Sequence, residues 1–150
     1  MTIQIPDELK MDGELWNLKY YYPIESLLEA ISPQTRFDDS SSALNRGTVA
    51  TWMIEDDRLY LIELLSGCRQ NAPSVLNVVF PGSFPPILAT WYSGPLSLYR
   101  GQLVEYGITS HFHEHEASLT VEAGVITAKK FIQRDQLLPG QKPLDRTGII

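Results

Sequence analysis

A two-residue alternation of apolar and polar side chains, cut at short intervals by turn-forming residues, limits this fold most. "ELWNLKYYY" sets Leu15, Asn17 and Lys19 on one face and Trp16, Leu18 and Tyr20 on the other. "TVATWMI" places Ala50, Trp52 and Ile54 together, and "RLYLIELL" places Leu59 and Leu61 opposite Tyr60 and Ile62. Side chains alternate across a pleated strand, so these segments read as β-strands. The connections fit: Asp12–Gly13, the "EDD" of Glu55, Asp56 and Asp57, and Ala123–Gly124 carry the residues that tight hairpins need. "VLNVVF" and "ILATWY" read as two more strands around the break "PGSFPP", and "PLSLYRGQLVEYG" as a hairpin bent at Arg100–Gly101.

One segment departs from this period. After Pro23, Ile24, Leu27, Leu28 and Ile31 recur at helical spacing, with Glu25 in the first turn. The pattern predicts one short helix near residues 23–31, covering one opening of a sheet or barrel. The expected class is therefore mainly β. It is an antiparallel rolled sheet, a barrel or a two-layer sandwich of about nine or ten strands, near the size limit of one open sheet. A chain of 150 residues fits a single domain spanning 1–150. Residues 32–47 read as a loop able to act as a flap, and the tail 135–150 as loosely attached.

Charge narrows the partners. The net charge is −6, and it is uneven: residues 1–67 hold 12 acids against 5 bases, the remainder 6 against 7. No basic groove for nucleic acid is visible. An acidic surface suits a basic protein partner. The single cysteine, Cys68, excludes an intramolecular disulfide and suits a reducing compartment. The opening "MTIQIPDELK" has no apolar run, and no segment is apolar enough to span a membrane, so a cytoplasmic location is expected.

Ala50, Thr51, Trp52 and Ile54, then Leu59, Tyr60 and Leu61, form one string of residues. Trp91, Tyr92 and Gly94, then Gly101, Leu103, Glu105 and Tyr106, form a second. Together they resemble a family of small uncharacterised bacterial proteins over residues 14 to about 126. That family has no assigned activity, so the resemblance implies a shared fold and nothing about catalysis. The stretch "HFHEHE" departs from it, where small, aromatic and glutamate residues are expected.

That stretch holds every histidine of the chain, His111, His113 and His115. On a strand their side chains step about 6.6 Å along one face, too far apart for three to meet one ion easily. "G-x5-H-x-H" at Gly107, His113 and His115 resembles the first metal motif of the cupins, but Leu119 and Thr120 stand where its glutamate belongs. The expectation is a polar strand with Phe112 inward, His113 and His115 toward water, and no cofactor. His113 and His115 are the fallback metal ligands.

Carboxylates and aromatics supply the remaining candidates. Asp38, Asp39, Glu55, Asp56 and Asp57 would form an acidic patch. Glu63 and Glu105 interrupt apolar strands, where Arg58 or Arg100 would pair with them. Trp52, Trp91 and Tyr92 would act as protein-binding anchors or line a cavity, although filling a core is the commoner task. No phosphate-binding glycine loop and no nucleophile elbow is present. The leading expectation is a non-enzymatic protein-binding module of the immunity or inhibitor type. The alternative is a ligand-binding barrel or metal-dependent enzyme with a pocket near Trp52, Trp91, Glu105 and His113. Homo-oligomer formation through exposed edge strands is a third reading.

Overall fold

The computed structural model describes residues 6–31, 48–67, 73–106 and 111–133. The elements are β1 (Glu8–Met11), β2 (Glu14–Lys19), α1 (Pro23–Ile31), β3 (Thr48–Glu55) and β4 (Arg58–Ser66). After them come α2 (Leu76–Val79), β5 (Ile87–Leu88), β6 (Gly94–Tyr106), β7 (His111–Glu122) and β8 (Val125–Gln133). The segments 1–5, 32–47, 68–72, 107–110 and 134–150 lie outside the described residues, and with them Cys68, Asp38, Asp39, Gly107 and the tail.

Three hairpins form for the local reason the sequence suggests. At each tip both central residues hold positive φ: Asp12 and Gly13 at 52° and 77°, Asp56 and Asp57 at 52° and 56°, Ala123 and Gly124 at 48° and 84°. Such turns match the right-handed twist of the strands they join. The strands then roll into a closed ring in the order β3-β1-β2-β6-β7-β8-β4, with β3 pairing β4 and β5 attached to the side of β4. The class is mainly β and the sheet is a barrel, with eight strands among the described residues, slightly fewer than the alternation suggests.

Three local expectations differ. "VLNVVF" supplies the single helical turn α2, burying Leu76 and Val79 and leaving Val78 exposed; a short apolar run fits a strand or a buried helix face equally. "ILATWY" is a strand only at Ile87–Leu88, because Tyr92 N–H returns to Ala89 O at 3.1 Å and turns the chain. Residues 94–106 are one long strand, not a hairpin. Arg100 faces His115 and Leu103 faces His113, so β6 carries an extra residue beside Gly101, whose φ is 84°. The glycine marks a bulge in a continuing strand.

One pairing is not antiparallel. β1 runs parallel to β3, with Leu9 beside Trp52 and Met11 beside Ile54. Asp7, just before β1, ties this junction. Its two carboxyl oxygens accept Ala50 N–H at 3.0 Å and the Trp52 indole N–H at 3.2 Å. Its carbonyl accepts Leu18 N–H at 2.9 Å. Asp7 is fully buried, so each of these bonds replaces hydration lost on folding.

The opposite seam is thinner. β4 and β8 share one ladder pair, Arg58 with Val125. Leu59 N–H to Gly124 O (2.8 Å) and Ile126 N–H to Asp57 O (2.7 Å) reinforce it. The interior is filled: Leu9, Leu18, Trp52, Leu59, Leu61, Leu96 and Leu98 have no more than 1% exposure. A bulge between Thr51 and Trp52 lets Leu61 and Leu64 both point inward and puts Glu63 outside. α1 packs Ile24 into the core where β2 ends, as its helical spacing suggests, and the Trp91 indole N–H donates to Pro23 O at 2.9 Å.

Two substitutions test this account by urea unfolding. Asp7→Ala leaves two enclosed N–H groups without acceptors and is expected to cost about 2–5 kcal/mol. Gly124→Ala is expected to cost about 1–3 kcal/mol, because φ is positive there and an added Cβ would stand 2.9 Å from Ala89 O.

Candidate functional site

The residues singled out from the sequence are dispersed. Trp52 lies wholly inside the barrel, and its ring is tilted against Trp91 with centroids 6.3 Å apart. Trp91 also packs on Phe80 at 5.4 Å. Tyr92 donates its hydroxyl proton to Pro95 O. These aromatics are core and its edge, and Trp52 has no open face. Glu105 stands opposite Phe112 in the β6–β7 ladder; the side chains of residues 104–112, His111 and Phe112 included, lie outside the described set. Glu63 pairs with neither Arg58 nor Arg100: its Oε1 accepts Leu64 N–H at 2.9 Å and the Ser74 hydroxyl at 2.7 Å.

Glu55, Asp56 and Asp57 sit exposed at the β3–β4 tip. The parallel pairing places Met11 beside Ile54, so the Asp12–Gly13 tip lies next to them. Asp57 reaches Lys129 Nζ at 2.8 Å, a solvent-exposed pair of small energetic weight.

The histidine run is a strand, as its alternation suggests, but His113 does not face water. Its side chain is only 16% exposed, and its ring stacks on Tyr99 at 4.1 Å between centroids. Glu116 Oε2 accepts His113 backbone N–H at 3.0 Å and lies 3.8 Å from His113 Nδ1. The same oxygen accepts Lys19 Nζ at 2.9 Å. Lys19, Tyr99 and Glu116 come from the neighbouring strands β2, β6 and β7, so the group fastens three strands across the barrel wall. Lys19 Nζ also lies 5.7 Å from the Tyr99 ring centroid. Desolvation offsets much of the attraction in a largely enclosed ion pair of this kind. His115 instead faces Arg100 across the ladder and lines the barrel mouth. Among the described residues no group of three or more His, Cys, Asp or Glu is placed to hold a metal ion.

Sequence reasoning missed Asp7 and Lys19, and named Arg100 only as a partner for Glu63 or Glu105. Asp7 and Lys19 carry no local signal, since their partners are 43 and 97 residues away. Glu116 was within reach as the acid beside the histidines.

No family model matches the chain, and neither the curated proteins nor the solved structures contain a match to it. No helix among the described residues is long and apolar enough to cross a membrane.

Burial holds the Tyr99 phenol above its usual value of 10.0. Burial, and then the charge of Tyr21, raises Tyr92 as well. The folded state therefore keeps these protons longer than the unfolded chain does. Their contribution to stability is complete below pH 10 and is lost as pH climbs through the folded-state values. Urea unfolding across that alkaline range is expected to show falling stability, with a shallower fall in Tyr99→Phe. An identical slope in the variant would remove Tyr99 from the effect.

Proposed function

We propose that the protein is a non-enzymatic binding module, of the immunity or inhibitor type, that docks on a basic protein through one wall of its barrel. The observation that carries this reading is the strand order. β4, β3, β1 and β2 are consecutive neighbours in the ring, so the described strands of the acid-rich first half form one continuous wall. The Asp12 tip and the Glu55–Asp57 tip stand side by side there. A surface of one sign speeds encounter with a partner of the other and discourages wrong ones.

Exposed apolar groups lie along β2 of the same wall, Leu15 near the tips and two tyrosines beyond its far end. Leu15 lies on β2, and Tyr20 and Tyr21, just beyond it, are 57% and 44% exposed with their rings edge-to-face at 6.4 Å. Exposed tyrosines suit a protein interface. The packed interior also favours an outer surface over a central cavity as the working part.

The test combines Asp12→Asn, Glu55→Gln, Asp56→Asn and Asp57→Asn. Asparagine tolerates the left-handed backbone at positions 12, 56 and 57, so folding should survive. Association with the captured partner, followed by stopped flow, is expected to slow about tenfold or more at low salt and to converge with the parent chain at high salt. Equal rates for both chains at every salt concentration would refute electrostatic docking.

A further inference from the structure

Between the packed interior and solvent, the inward-facing rows change character. Leu98, Ala117 and Phe131 are register neighbours across β6, β7 and β8; the next inward row is Arg100, His115 and Gln133. Three polar side chains thus occupy positions that alternation assigns to the inside, at one mouth of the barrel. With Trp16 and Phe131 they line a recess of about 430 Å³. Recesses of this size hold small molecules.

The recess has a built geometry. Trp16 and Phe131 lie 6.1 Å apart at a tilt of 51°. The Arg100 guanidinium carbon lies 5.0 Å from the Trp16 ring centroid. A guanidinium on an indole face leaves its N–H edge open to a planar oxyanion. Arg100 Nε is enclosed and has no hydrogen-bond partner, so a ligand would meet the Nη1/Nη2 edge; Nη1 is ion-paired with the half-exposed Glu14 at 3.8 Å, a distance too long for a hydrogen bond and one that a closer carboxylate would displace. Glu116, which also borders the recess, already accepts Lys19 Nζ and His113 N–H.

We propose that this mouth binds a small, flat, apolar molecule carrying a carboxylate. The carboxylate would lie against the Arg100 edge, where two parallel N–H···O bonds match its shape. The flat body would contact Trp16 and Phe131. His115 and Gln133 bring further polar groups to the rim. The site shares β2 with the acidic wall through Trp16, but it uses none of the carboxylates at the Asp12 and Glu55–Asp57 tips, so either reading stands without the other.

The experiment titrates the isotopically labelled protein with 2-naphthoate and, separately, with the neutral 2-naphthalenemethanol, following amide shifts. Saturable shifts confined to the surroundings of Trp16, Arg100, His115 and Phe131 are expected for the carboxylate. The alcohol should bind about tenfold or more weaker, and Arg100→Gln should impose a similar loss on the carboxylate while its unliganded spectrum stays dispersed. Should Arg100→Gln not fold, the comparison of the two ligands on the parent chain decides. Equal affinity for acid and alcohol, shifts scattered over the surface, or no saturation with naphthoate would overturn the proposal.

Discussion

The buried carboxyl of Asp7 sits where the barrel departs from a simple meander. The β1–β2, β3–β4 and β7–β8 hairpins form between near neighbours in sequence, and their turns require only local geometry; β6 pairs with β7 along most of its length. The ring still needs these pieces to be joined. The β1–β3 junction is parallel, and a parallel pair cannot be made by a tight turn. Asp7 takes a main-chain N–H and the Trp52 indole N–H from β3, while its own carbonyl holds Leu18 of β2. It therefore fixes the relative height of three strands and the seat of Trp52, the largest fully buried side chain. The β4–β8 seam is held by one ladder pair and two further main-chain hydrogen bonds.

Two surface features follow from that closure. Parallel pairing sets the Asp12 and Glu55–Asp57 tips together, and the cyclic order assembles β4, β3, β1 and β2 into one wall. Glu55, Asp56 and Asp57 thereby lie beside Asp12 among the described residues. The polar row Arg100, His115 and Gln133 then stands where the interior meets solvent. Both readings make this a binding protein, and neither asks for chemistry beyond complementary charge and ring contact.

Much of the fold was legible because it depends on nearest neighbours. Asp12–Gly13, Asp56–Asp57 and Ala123–Gly124 announce left-handed turn residues, and the alternation around Trp52 and Leu61 announces an inside and an outside. Gly101 misled for the same local reason. A glycine between alternating segments marks a bend or a bulge, and only the partner strand decides which. α2 was hidden because Leu76 and Val79 fit either period over so short a run. The candidate site was less legible. Trp52 and Trp91 read as anchors, cavity lining or, most commonly, core filling; Trp52 is core and Trp91 packs on it. His113 read as a solvent-facing residue, and it lies against Tyr99 and Glu116.

By itself, the sequence determined that the chain pleats, where most of its strands turn, which residues could face inward and that one half is acidic. Those properties arise from backbone preference and from the period of burial, both written in adjacent residues. Only the tertiary structure decided that the sheet closes, that β1 lies parallel to β3, that Asp7 finds Trp52 and Lys19 finds Glu116, and that Arg100 lies over Trp16. Each of these joins groups distant along the chain. Their energies depend on desolvation and contact that exist only once the ring has formed.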